Sequence, residues 1–430
     1  MQGHGGSRLG KGWMLLLLGV SACAPRGGAA PRVSPVSPAP TFMGAPRVTV
    51  TLVRPGIEVL LTDSLAMLRG RRVGFVTNLA AVDANGVSAI ERLRSAGVNL
   101  VALFGPEHGL AATAGPGEKV ASAVDSATQT PIYSLYGQNV RPTPAMLAGI
   151  DLLLVDLPDV GARYYTYVAT TVEVMRAAAP LGIPVVILDR PNPLGGTAQG
   201  NILDTAYASM VGRLAVPMRH GLTLAEEARL ARHDLGIDVD LRVVPVDGWR
   251  RALAFESTGL PFRAPSPNLR DVDALFHYAG TCLFEGTALS VGRGTDLPFH
   301  VIGAPWLDTA AVLARIRRDR LPGVAFEGTQ FTPVAPGDGK FAKTPVVGIR
   351  LRIVDRASYD PTRTAIHLLA AVRAVHPAEV KIGGSFDRLA GGPSLREALL
   401  RGDDPEAIVA SWRPGLAAYR ARVAAFQLYP

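Results

Sequence analysis

Four short apolar runs, spaced over residues 72–188 and each followed by polar side chains, constrain the fold of this chain more than any other feature. They are RVGFVT at 72–77, VNLVALF at 98–104, DLLLVDL at 151–157 and IPVVIL at 183–188. Each has the length of a strand and is apolar nearly throughout, the pattern of strands covered on both faces. Helical patterns separate them at 87–96 and 170–179. Strand and helix in alternation predict an α/β fold, a doubly wound parallel sheet. Beyond 306 the signals change, with a helix at 308–319, an alternating half-buried strand at 348–354, and helices at 361–375, 394–400 and 405–426. That part reads as a smaller α+β domain.

Parallel strands point the same way, so their carboxyl ends share one edge, where open α/β sheets build ligand crevices. The ends here are Asn78, the pair Glu107 and His108 behind a Gly-Pro corner, Asp156 with Asp159, and the string Asp189, Arg190, Pro191, Asn192. A later segment, MRHGLT, contributes His220, and a glycine-interrupted stretch at 280–303 carries Glu285, Arg293 and Asp296 on what reads as a long loop. Glu226 and Glu227 fall in the first turn of an expected helix, where acids suit the helix dipole, and are read as structural.

The chain opens with Arg8 and Lys11, an apolar run WMLLLLGV at 13–20 and Ser21-Ala22-Cys23, the order of a secretory signal. The run is too short for a permanent membrane span. Residues 20–23 resemble the lipobox of bacterial lipoproteins, which implies removal of residues 1–22 and a lipid on Cys23. With Ala24 next, the expected location is the cell envelope, at the periplasmic face of the outer membrane where the host has one. Residues 23–50 are rich in Pro, Gly and Ala and read as a tether. Cys282 is the other cysteine, so no internal disulfide is expected, and its apolar neighbours place it in the core. The net charge of +8 is scattered, without a basic run interleaved with aromatics, so no nucleic-acid partner is expected.

No GxGxxG follows the first strand, and GxxxxGK[ST], HExxH and GxSxG are absent. What remains is an assembly of carboxylates, histidines and arginines. Such a set serves glycoside hydrolysis, with one carboxyl group as acid and a second as base or nucleophile, or metal-assisted hydrolysis with His and Asp as ligands. The eight histidines are dispersed without ligand spacing, which favours the first and leaves no metal expected.

The strings LFGPEHGL at 103–110, PIYSLYG at 131–137, DVGARYYTYVATT at 159–171, ILDRPNPLGG at 187–196, RHGLTLAE at 219–226, PSPNL at 265–269 and GTCLFEGTALSVGRGTDLPFHVIGAPW at 280–306 resemble the NamZ-type exo-β-N-acetylmuramidases. The resemblance spans the chain from about residue 56 to its end. It implies a Rossmann-like domain over 51–200, a cleft-forming region over 201–305 and the smaller domain over 306–430. It also implies release of N-acetylmuramic acid from non-reducing ends of peptidoglycan glycans or their fragments, without a cofactor. The glutamate of the GPEHG string is the family's favoured acid, which falls on Glu107, with His108 beside it to orient or hydrogen-bond it. The second carboxylate is left among Asp156, Asp159, Asp189 and Glu285.

A forked guanidinium suits the lactyl carboxylate of muramic acid, and Arg163, Arg190 and Arg293 are the candidates. Tyr164, with Tyr165 and Tyr167, offers a sugar-stacking face from which at least one ring packs inward. Asn78, Asp189, Asn192, His220 and Asp296 complete the expected substrate contacts. Two departures from the family's usual pattern stand out. Gln199 replaces a glutamate, and GDGKFAK at 337–343 replaces a segment usually reading SKYAG. The rival reading is a non-catalytic lipoprotein that binds cell-wall sugars.

Overall fold

The computed structural model describes residues 53–430; the signal sequence, Cys23 and the tether lie outside the described residues. Strands β1 (Val73–Thr77), β2 (Leu100–Gly105), β3 (Ala123–Val124), β4 (Pro131–Ser134), β5 (Leu152–Asp156) and β6 (Val185–Leu188) enter one sheet. β7 (Gln199–Ile202) and β8 (Pro217–Arg219) form a separate ribbon, and β9 (Leu241–Val244) returns to the main sheet. Its order is β3-β4-β2-β1-β5-β6-β9, parallel throughout except for the short β3. Leaving β3 aside, the order is that of a Rossmann fold, and the winding reverses between β1 and β5.

The near-continuous apolar runs follow from burial on both faces. Val76, Phe104, Leu153, Val155, Val185 and Ile187 belong to one core, with helix Tyr167–Ala178. Their neighbours Phe75, Leu103, Leu152, Leu154, Val186 and Leu188 belong to the other, with helix Ala89–Ser95. Side chains alternate across the sheet, so a strand with both sides covered has no polar face to show. The Ser88 side chain caps the second helix by accepting the Glu91 N–H.

The sheet passes the expected boundary at 200, because β9 pairs with β6. β9 escapes a reading by apolar content, since it is an edge strand whose sequence LRVV sits among Asp238, Asp240 and Arg242. β4 is likewise a half-buried strand in what reads as a loop.

Beyond it, β10 (Val301–Ala304), β11 (Val324–Phe331) and β12 (Val346–Ile353) form an antiparallel sheet in the order β10-β12-β11. Helices Thr309–Ile316 and Pro361–Val375 accompany it. The expected helix over 405–426 is two, Pro405–Ser411 and Arg413–Val423, with Pro414 near the start of the second. The start of the expected loop at 280–303 is the end of a buried helix, Val272–Thr281, capped by the Asp271 side chain. A 3-10 turn, Cys282–Gly286, continues it. One apolar core runs without interruption from Val155 through Phe284 to Leu351 and Ile366. Among the described residues no helix is long and apolar enough to cross a membrane.

Candidate active site

The end of β2 turns back on itself. A Cβ on Gly105 would lie 2.8 Å from Leu110 N, so this corner admits only glycine without a shift, and His108 takes a left-handed φ of 69°. The turn presents Glu107 and His108 to a cavity of about 200 Å³. Across it stand Glu285, Arg293, Tyr278, Cys282 and Phe299, with Tyr164, Tyr165, Thr166 and Ser266 completing the wall. Phe299 is also held at a positive φ, 67°, so backbone strain marks both sides of the cavity.

Glu107 is nearly buried. Its Oε1 accepts the Gly117 N–H at 3.0 Å and its Oε2 contacts the Thr166 hydroxyl at 2.9 Å. The Tyr136 hydroxyl faces the same carboxyl group, and burial together with that negative charge pushes it up to about 12. His108 Nδ1 lies 2.8 Å from the Ala114 carbonyl, an acceptor, so Nδ1 carries the proton and Nε2 keeps its lone pair. Burial lowers the His108 pKa, opposed by Glu107, and the ring is neutral near pH 7.

Arg293 donates from Nε to Glu285 Oε1 at 2.5 Å and lies 5.0 Å from the Phe299 ring centre. Its two terminal nitrogens meet no acceptor among the described residues. Cys282 Sγ is 3.8 Å from Glu285 Oε2, and burial raises the thiol pKa well above its usual value, which disfavours the thiolate.

The other expected residues stand apart from this cavity. Asp156 is fully buried and forked by Arg190 through Nε and Nη2, while Arg190 Nη1 donates to Val82 O at 2.8 Å, so each satisfies the other within the fold. Asp189 accepts from Thr223 Oγ1, Ala225 N and Tyr429 OH at 2.7, 3.1 and 2.6 Å, and burial pushes it up to about 7. It ties the end of β6 to the start of helix Leu224–Asp234 and to the chain's carboxyl end. Asn192 donates to Leu222 O and accepts from Leu194 N, shaping a turn. Asn78 donates to Tyr167 OH at 2.6 Å, and Tyr167 and Tyr164 both pack inward, with Tyr165 nearly buried beside them at the cavity. Arg163 spends its terminal nitrogens on Asn201 O, Val216 O and Leu389 O. Asp296 is exposed and faces Arg270 at 3.4 Å. Of the three arginines only Arg293 retains free donors at the cavity.

Asp159 and His220 meet Glu227, the one group among the described residues able to gather three metal-ligating atoms within 4.8 Å. His220 Nε2 is 3.4 Å from Asp159 Oδ2 and 3.6 Å from Glu227 Oε2. However, His220 Nδ1 accepts the Leu222 N–H at 3.2 Å, so the ring proton sits on Nε2 and leaves no lone pair for a metal. Burial pushes Glu227 up to about 8, with His220 opposing and Asp159 reinforcing. Glu226 forms a capping box with Thr223 and pairs with Arg251, as its place in the first turn predicts.

Gln199 also falls outside the cavity. Its Oε1 accepts from Arg219 Nη1 at 2.8 Å, the same hydrogen bond a carboxylate would take there. Thr166, Tyr136 and Phe299 lie within motifs that the sequence singles out and Tyr278 in none, but only packing shows that they surround Glu107 and Glu285.

The description of the N-terminal domain of the exo-beta-N-acetylmuramidase NamZ matches residues 73–273, and that of the C-terminal domain matches 276–429. The chain belongs to the NamZ family. A curated relative, the peptidoglycan beta-N-acetylmuramidase NamZ of Bacillus subtilis (strain 168), is 40% identical over 368 residues, 85% of this chain and 88% of its own. A DUF1343 family protein of Bacteroides fragilis NCTC 9343, solved at 1.65 Å, superposes with a TM-score of 0.81 at 31% identity, covering 90% of this chain and all of that one. A second from the same organism gives a TM-score of 0.71 at 28% identity, covering 88% and 99%. Within the NamZ frame, Glu107 lies in the N-terminal part while Glu285 and Arg293 lie in the C-terminal part.

Proposed function

We propose that this chain is an exo-acting glycoside hydrolase that releases N-acetylmuramic acid from the non-reducing ends of peptidoglycan glycans or fragments. The observation that carries this reading is the meeting of Glu107 with the Glu285–Arg293 pair in one enclosed cavity, each contributed by a different half of the NamZ match. Glycoside hydrolysis needs two carboxyl groups and a site that holds a sugar ring. Here Glu107 is the acid that protonates the glycosidic oxygen, and neutral His108 offers Nε2 as an acceptor for a sugar hydroxyl or water. Glu285 is the second carboxylate, set beside the positive charge developing at the anomeric carbon.

Arg293, anchored through Nε, directs its free nitrogens to the lactyl carboxylate, a charge-assisted contact that a glucosamine unit cannot make. Tyr164 and Tyr165, both packed edge to face on Tyr278, back the cavity from behind as a rigid aromatic support. The sugar-binding lipoprotein alternative loses its main support, since Gln199 sits outside the cavity and makes the bond its position requires. Incubating the full chain with a chromogenic N-acetylmuramide and its glucosaminide counterpart tests the activity. Release from the muramide is expected; no release from either, or release from the glucosaminide alone, overturns the reading.

The signal-like segment and lipobox support an envelope location with a lipid on Cys23. Detergent-phase partitioning of the native protein, lost in Cys23→Ser, tests it; equal partitioning of both forms refutes it.

A further inference from the structure

The carboxylate of Glu285 is fixed on one side by Arg293, but the backbone that presents it has a separate anchor. Glu285 lies in the 3-10 turn Cys282–Gly286, where Phe284 O already accepts from the Thr287 N–H and hydroxyl while Glu285 O has no partner from the turn itself. Lys340, from the GDGKFAK segment, reaches this turn from the second sheet's β11–β12 connection. Its ammonium donates to Phe284 O at 3.3 Å, Glu285 O at 3.0 Å and Leu289 O at 2.9 Å. Among the described residues no other hydrogen bond reaches Glu285 O or Leu289 O. Three carbonyls converging on one ammonium match its three donors and its charge.

The lysine is itself held. Its backbone N–H donates to Asp338 Oδ1 at 3.2 Å, and the next residue, Phe341, is kept at a φ of 54°. The turn also rests on helix Gly384–Ala390, so closely that a Cβ on Gly286 would lie 2.6 Å from Phe386 Cα. Packing against this helix and the Lys340 hydrogen bonds therefore both hold the turn. Neither the cavity wall nor the Glu107 side involves this lysine.

We propose that Lys340 is a positioning residue for the hydrolysis, clamping the backbone of the 282–289 loop so that the Glu285 carboxylate stands at the reacting carbon. The proposal rests on the reading of Glu285 as the second carboxylate. Misplacement of a reacting group by about 1 Å costs on the order of 10²-fold in rate, while the lactyl contact belongs to Arg293, which lies outside the clamped segment.

The test compares kcat and KM of the full chain, Lys340→Met, Glu285→Gln and the double variant on the chromogenic muramide, with far-UV circular dichroism to establish folding. Lys340→Met is expected to lower kcat by about 10- to 100-fold with KM changed less than about threefold. In the Glu285→Gln background the same substitution is expected to change kcat less than about twofold, because its effect passes through a carboxylate already removed. Lys340→Arg, which keeps the charge, is expected to recover part of the rate. Where Lys340→Met does not fold, Lys340→Gln is measured in its place. A kcat within twofold of wild type, or an undiminished loss in the Glu285→Gln background, overturns the clamp. A Glu285→Gln variant as fast as wild type overturns the assignment of Glu285 and the clamp with it, whereas a wild-type chain without muramidase activity refutes the function itself.

Discussion

Replacing Asp189 by Asn should change how stability depends on pH, and the size follows from its surroundings. The carboxyl group is fully buried at the end of β6, and burial pushes it up to about 7 from an ordinary 3.8, against the pull of Tyr429, Thr223 and the Ala225 N–H. A raised folded-state value means that the native protein holds a proton the unfolded chain has released. Stability from this group is therefore complete below about pH 4 and is lost as pH climbs through about 7, at about 1.4 kcal/mol per pH unit in between, or about 4 kcal/mol in all. Asn cannot titrate, so the variant lacks this slope. Urea unfolding of both proteins at a series of pH values from about 4 to about 8 measures it. Subtracting one curve from the other cancels the remaining titrating groups, and the difference should move by about 4 kcal/mol in favour of Asp189→Asn as pH rises. A difference constant to within about 1 kcal/mol over that range would show that Asp189 is not the buried, proton-holding group its contacts describe.

Glu107→Gln should lower kcat by about 10²- to 10⁴-fold with folding intact, and a rate close to wild type in the chromogenic assay removes it as the acid. Arg293→Met should weaken binding of free N-acetylmuramic acid by about 10- to 100-fold while N-acetylglucosamine binding changes little, as read by calorimetry. Equal losses for the two sugars would take the lactyl contact away from Arg293. Gly280→Ala should destabilise by about 1–3 kcal/mol or more, since its Cβ would stand 2.0 Å from Pro361 O where two helices meet. Gly383→Ala, which meets nothing within 4 Å, is the control, and matching urea midpoints for the two would refute the clash.

The parallel sheet is legible because burial on both faces leaves an unbroken apolar record in β1, β2, β5 and β6. The two half-exposed strands β4 and β9 leave none. The place of Glu107 at a cavity is legible for a related reason: an acid behind a Gly-Pro corner at a parallel strand's end stands where such sheets build their crevices. The polar ends of the other strands look identical in one dimension. Asp156, Asp189 and Asn192 turn out to be spent on Arg190, on a helix start and on a turn, and nothing in their spacing distinguishes a ligand contact from a tie. Selection of Glu285 over them depends on the packing of helix Val272–Thr281 against helix Pro361–Val375, a contact between segments some eighty residues apart that periodicity does not record.

The same packing explains how a Rossmann sheet comes to serve a sugar instead of a dinucleotide. The crevice where the winding reverses lies beyond β1 and β5, and here it is filled from outside. Tyr165 and Tyr167 both donate to Pro265 O, at 2.9 and 3.0 Å, and Asn78 donates to Tyr167. The space left beside Asp159, Arg190 and Phe262 is about 60 Å³, room for a few waters. Plugging that crevice with the segment leading into helix Val272–Thr281 has a second effect: it brings the helix, and the turn bearing Glu285 that follows it, over the neighbouring end of β2. Filling the nucleotide crevice and building the cavity around Glu107 are thus one structural event, and a substitution that loosens the plug, such as Tyr167→Phe, acts on the catalytic cavity through the helix it anchors.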